Sequence, residues 1–188
     1  ALSPQAHEEA DTFWREHLDP NAPVLGVHPG SVWPTKRWPA TFFSQLIDKA
    51  LTEGGTGDAG CQVLLFAGPG EEETVNDVLG GMKGLGQTGT HPRLFNLAGK
   101  LSLPALAAFL GRLDCFACND SGPLHLAWCQ ETPVVAFFGP TVEQLGFFPR
   151  GEKATVLQEE LDCRPCGLHG GKTCPRGDHA CMQGITPE

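Results

Sequence analysis

Six short apolar runs recur along the chain, at Val24–His28, Cys61–Ala67, Leu94–Leu97, Asp114–Cys118, Pro133–Phe138 and Ala154–Leu157. Between them lie stretches with helical patterning, over about residues 40–52, 71–80, 102–112 and 122–130. Of all the features of this sequence, that alternation restricts the fold most. A continuous apolar strand has to be covered on both faces. Helices between successive strands supply the cover and carry the chain back for a parallel pairing. The expected class is therefore α/β with a doubly wound parallel sheet. Ligands of such sheets bind beyond the carboxyl ends of the strands, so the loops that follow the strands are the places to look for chemistry.

Composition narrows what those loops can hold. The chain has 188 residues, enough for one domain with a real core or for one half of a larger two-domain protein. Its net charge of −9 opposes a surface that tracks nucleic-acid backbones, since such binding draws on many Lys and Arg contacts. Any anion site must then be local. The sequence has no apolar run of about 18 residues and no basic start followed by an apolar middle, so it predicts neither a transmembrane segment nor a signal peptide. A cytoplasmic location is the resulting expectation.

Two loops stand out. His28-Pro-Gly-Ser-Val-Trp-Pro-Thr-Lys-Arg-Trp-Pro39 joins the first apolar run to a helix and brings a glycine, a serine and a lysine together. A strand, a Gly/Ser/Lys loop and a helix form a plausible anion cradle. Cys118-Asn-Asp-Ser-Gly-Pro-Leu-His-Leu-Ala127 does the same after the fourth run. There the strand delivers Asn119 and Asp120 to the sheet edge. Ser121-Gly122-Pro123 opens a helix whose first amides lack partners, and His125 lies about one turn in. Taken singly, Asp120 or Ser121 reads equally well as a helix cap and His125 as a satisfied histidine. Together, the two loops are suited to holding a pyrophosphate between them. Arg37 and Trp38 read as a packing pair, whereas Trp33, nearer the loop tip, is placed to line a cleft.

Two regions depart from the repeating pattern. Gly80–Thr90 is glycine-rich and predicts a mobile, insertion-tolerant loop. At the front, Ser3-Pro4 is a helix start, and Ala10, Phe13, Trp14 and Leu18 share one face of the helix that follows. That helix falls outside the strand–helix repeat and reads as a connector. At the end, Thr186-Pro187-Glu188 has the form of a further helix start. The expected division is a connector over 1–21, an anion-binding Rossmann-like domain over 22–160 and a Cys-rich segment over 161–188.

Four ordered motifs now carry a resemblance. His28-Pro-Gly-Ser31 with Lys36-Arg-Trp-Pro39, Asn96-Leu-Ala-Gly-Lys-Leu-Ser-Leu103, Asn119-Asp-Ser-Gly-Pro-Leu-His-Leu-Ala127 and Phe138-Gly-Pro-Thr141 together resemble glycosyltransferase family 9, the lipopolysaccharide heptosyltransferases. The resemblance implies the carboxyl-terminal, donor-binding half of a GT-B fold, Rossmann-like, with the catalytic base in an amino-terminal half. The activity it implies is transfer of heptose from ADP-heptose, or a related nucleotide sugar, to the lipopolysaccharide inner core, with inversion. No cofactor is implied for transfer. Peripheral association with the inner membrane is compatible with such an acceptor. Carried over residue by residue, Ser31, Lys36, Ser121, Gly122 and His125 would meet the donor phosphates and Asp120 the donor sugar. Leu101 would lie against the adenine, and an acid among Glu71, Glu72 and Glu73 would take the ribose hydroxyls. A chain of this half alone is expected to bind donor without transferring it.

Two other function classes compete. A nicotinamide-dependent oxidoreductase needs a Gly-x-Gly-x-x-Gly turn after the first strand, which His28–Pro39 lacks. A noncatalytic sugar-nucleotide-binding module would look much like a donor-binding half. Among the eight cysteines, Cys61, Cys115, Cys118 and Cys129 sit in apolar contexts and read as small buried hydrophobes. Cys163, Cys166, Cys174 and Cys181 lie in a Gly/Pro/His-rich segment, and Cys163-x-x-Cys166 has the spacing of a zinc knuckle. The second pair lacks that spacing. Structural zinc, disulfides and free thiols all remain open at this stage.

Overall fold

β1 (Val24–His28) lies inside the sheet, which explains why its residues are apolar almost without interruption. In the computed structural model, which describes residues 2–54, 60–85 and 89–188, β1 pairs in parallel with β2 (Gln62–Leu65) on one side and β4 (Cys115–Asn119) on the other. β3 (Leu94–Asn96), β5 (Val134–Phe138) and β6 (Ala154–Gln158) complete a six-stranded sheet in the order β3-β2-β1-β4-β5-β6, with every pair parallel. The order reverses direction between β1 and β4. A doubly wound sheet opens its crevice at such a switch point.

Helices cover both faces, as continuous apolar strands require. On one face lie α2 (Ala40–Glu53), α3 (Glu72–Gly81) and a short α6 (Ala180–Gln183), with Phe43, Ile47, Val75 and Met182 sharing a core with Val63 and Leu65 of β2 and Phe137 of β5. On the other lie α1 (Pro4–His17), α4 (Leu103–Leu110) and α5 (Gly122–Cys129), whose Ala10, Phe109 and Leu124 share a core with Phe116 and Phe138. Ser3 caps α1 by accepting from the Ala6 amide at 3.3 Å, and Ser102 caps α4 in the same way. Among the described residues, no helix is long and apolar enough to cross a membrane.

α1, expected as a connector, packs on the strand–helix repeat, with Phe13 and Trp14 each 5.3 Å from the ring of Phe109. Several other expectations need correcting. Of the glycine-rich loop, Gly80 and Gly81 finish α3, and the amides of Lys83 and Gly84 donate to the Asp48 carboxylate at 2.8 and 3.0 Å. Residues 86–88 of that loop lie outside the described residues. Cys129 is exposed and Cys115 half-buried, because the outer turns of α5 and the first position of β4 are less covered than their apolar neighbours suggest. Conversely, Cys181 is buried, since α6 tucks against β5 beside Met182. Zinc finds no support, because among the described residues no group of three or more His, Cys, Asp or Glu side chains is arranged to hold a metal. The described cysteines are free thiols.

Candidate functional site

β1 and β4 end side by side, so the two loops that follow them meet beyond the sheet edge. Asn119, fully buried at the end of β4, fastens them together. Its Nδ2 donates to the carbonyls of Pro29 and Gly30 at 2.8 and 3.3 Å, and its Oδ1 accepts from the Trp38 amide at 2.9 Å. Ser31 Oγ adds a bond to the Asp120 carbonyl at 3.3 Å, and Arg37 Nε donates to the Ser31 carbonyl at 2.8 Å. Below the loops Trp38 stacks on Phe137 at 4.1 Å and donates from Nε1 to the Ile185 carbonyl. Arg37 and Trp38 are therefore packing residues, each with its own partner.

The loops wall a cleft of about 810 Å³, a volume suited to a nucleotide-sized ligand. Ser31, Lys36, Asp120, Ser121, Gly122 and His125 all line it, as does Trp33. Leu101 lines it from the far side, with Phe66 and Leu106 adding apolar surface. Ser121 is the N-cap of α5 but its hydroxyl makes no capping bond, and Oγ is buried without a partner. That orphan polar atom, at the positive end of a helix dipole, faces the same space as Lys36.

Ser31 and Lys36 line the cleft yet are only 3% and 6% accessible. Lys36 is held there by a salt bridge, with Nζ 2.5 Å from Asp120 Oδ2. Thr141 Oγ1 donates to that same carboxylate oxygen at 2.8 Å, and the ring of Phe147 lies 5.2 Å from the ammonium. Asp120 therefore does not turn back to cap α5. It is held pointing at Lys36.

Of the three acidic candidates, Glu71 alone lines the cleft. Its Oε2 lies 3.3 Å from His28 Nε2 and accepts from the Gly68 amide at 2.8 Å. The bond from His28 holds the Glu71 carboxyl below its usual range, against the opposing effect of partial burial. Gly30 leaves room for this carboxylate, since a Cβ there would stand 2.2 Å from Glu71 Oε1 and would displace it. Glu72, which accepts from the Gly70 amide, and Glu73 are exposed and lie outside the cleft lining.

His28, Asn119 and Thr141 are site residues with no role evident from sequence alone. His28 is 3% exposed, lines the cleft, and leaves Nδ1 buried without a partner. A histidine or an asparagine closing an apolar strand is the signal that was present for the first two.

The model of glycosyltransferase family 9 (heptosyltransferase) matches residues 2–174. The chain belongs to this family. Among curated family members, it is 33% identical over 167 residues to lipooligosaccharide heptosyltransferase 2 of Campylobacter jejuni, covering 88% of this chain and 48% of that protein. It is 30% identical over 172 residues to lipopolysaccharide heptosyltransferase 2 of Salmonella typhimurium, covering 91% and 45%. Its fold matches the solved E. coli ADP-heptose lps heptosyltransferase II with a TM-score of 0.73 at 26% identity, over all of this chain and 49% of that one. The chain thus spans about half the length of the family members it matches.

Proposed function

We propose that this chain is the donor-binding, carboxyl-terminal half of an inverting heptosyltransferase. In this reading it holds ADP-heptose, or a closely related nucleotide sugar, while a base in the other half deprotonates an inner-core lipopolysaccharide hydroxyl. That oxygen attacks the anomeric carbon from the face opposite the ADP, the glycosidic bond forms, and the C–O bond to the β-phosphate breaks. The task left to this half is to accept the negative charge that builds on the departing ADP. Lys36 supplies a point charge, the uncapped start of α5 at Ser121-Gly122 supplies dipole and amides, and Ser31 and His125 border the same space. Asp120 takes sugar hydroxyls, Glu71 the ribose and Leu101 the adenine face.

The observation that carries the reading is the meeting of Lys36, Asp120 and the α5 N-terminus in one cleft at the β1/β4 switch point of a family 9 chain. The family members it resembles act on lipopolysaccharide or lipooligosaccharide by name. We place the protein on the cytoplasmic side of the inner membrane, where its donor would be made. Calorimetric titration with ADP, UDP and NAD tests the class directly, with ADP expected to bind preferentially. UDP preference would move the donor, and NAD preference would overturn the class. A charge-assisted bond contributes about 1.5–3 kcal/mol, so Lys36→Ala should weaken ADP binding by roughly 10- to 150-fold. Unchanged affinity in that variant would remove Lys36 from the site.

A further inference from the structure

The short 3₁₀ turn that carries Lys36, Pro34–Lys36, is fastened from behind by the Cys-rich C-terminal segment. Thr35 is the anchor. Its hydroxyl donates to the Gly171 carbonyl at 3.0 Å and accepts from the Gly171 amide at 2.7 Å. Its own amide donates to Gly171 O at 3.2 Å, and its carbonyl accepts from His179 Nε2 at 2.7 Å. All four polar contacts on one buried residue thus come from a segment about 140 positions away in sequence.

The segment also touches the lysine itself. Gly170, at φ +85°, runs so close that a Cβ there would lie 3.1 Å from Thr35 Oγ1 and 3.2 Å from Lys36 Cγ. His169 packs on Phe147, the ring beneath the Lys36 ammonium. On the other side of the ion pair, Arg164 donates to the Thr141 carbonyl at 2.7 Å, Cys166 N donates to the Pro140 carbonyl at 3.0 Å, and Thr141 in turn holds Asp120. His179 itself adopts a left-handed backbone at φ 51°. A non-glycine residue in that region carries strain that its surroundings must offset, and the bond to Thr35 is one such compensation.

We propose that residues 161–188 act as a positioning scaffold for the phosphate-reading lysine, with Thr35 and His179 as positioning residues. This rests on the reading that Lys36 meets the donor pyrophosphate. A segment that merely covers the fold would, when loosened, weaken every ligand of the cleft alike. A scaffold for Lys36 would, when loosened, weaken only ligands that carry phosphate.

Calorimetry on the full-length protein with ADP and with adenosine separates the two. Thr35→Val keeps the shape and removes the hydroxyl, and should raise the ADP Kd about five- to tenfold while adenosine stays within about twofold. Thr35→Ser, which keeps the hydroxyl, should restore ADP binding. His179→Leu should repeat the selective loss and His179→Gln, which retains a donor at similar reach, should largely rescue it. This second pair, at a half-buried position, carries the comparison if Thr35→Val fails to fold. Equal losses for ADP and adenosine would overturn the proposal, as would unchanged ADP binding in Thr35→Val and His179→Leu when Lys36→Ala is impaired. If Lys36→Ala itself leaves ADP binding intact, the donor reading falls and takes the scaffold with it.

Discussion

Glu71 and His28 illustrate how much a site depends on contacts between distant residues. The acidic trio Glu71–Glu73 was visible in the sequence, but the selection of Glu71 comes from β1, which ends in a histidine placed to hold it. No local pattern encodes that choice. Likewise Lys36 and Asp120 could be picked as candidates from their loops, whereas their ion pair, which buries both, depends on β1 and β4 being neighbours. The Glu71 pairing has a pH signature. Its carboxyl is depressed below the usual 4.5 by the His28 bond, so folding gains stability from it above that value and loses the gain as pH falls through the lower, folded-state value. Chemical denaturation between about pH 5 and pH 3 should therefore show a steeper loss of stability for the wild type than for Glu71→Gln. Parallel pH profiles would mean that the pair contributes nothing to folding.

Among the elements, strands and long helices were legible because covered parallel strands and amphipathic helices leave strong, local patterns. Every strand but β2, together with α2, α3 and α5, falls within one residue of its expected bounds. The 3₁₀ turn at Pro34–Lys36 and α6 were not anticipated, since neither is long enough to show a period; the turn is held by the bonds of Thr35 to Gly171 and α6 by burial of Cys181 and Met182. α1 is the instructive case. Its start was evident from Ser3-Pro4, but its packing partner was not, because an aromatic face specifies burial without saying against what. Phe13 meets Phe95 and Phe109 at 5.7 and 5.3 Å, which ties α1 to the sheet core through α4. Phe13→Ala should lower the stability of the whole unit by about 2–3 kcal/mol in one cooperative transition, the half-buried ring setting the modest size. Melting of α1 alone, with the main transition unmoved, would place it outside the cooperative unit.

At the scale of the molecule, the strand order follows from the alternation of elements only in outline. That alternation demands a parallel sheet with two covered faces. The reversal between β1 and β4, which opens the cleft, is a property of the assembled topology, although its presence is a habit of such sheets. The Cys-rich tail is bound into the back of the cleft, because its few apolar residues, Cys181, Met182 and Ile185, find a core to join. The four tryptophans are distributed over this architecture in four different settings. Trp14 is on α1, Trp38 is sealed in the core, and Trp128 sits on the outer surface of α5 with its indole on the Arg150 carbonyl. Trp33 alone among them lines the cleft. The protein thus carries its own optical reporter: ADP should change the emission of one indole in four, and Trp33→Phe should abolish that change while leaving the affinity measured by heat within a fewfold of the wild type.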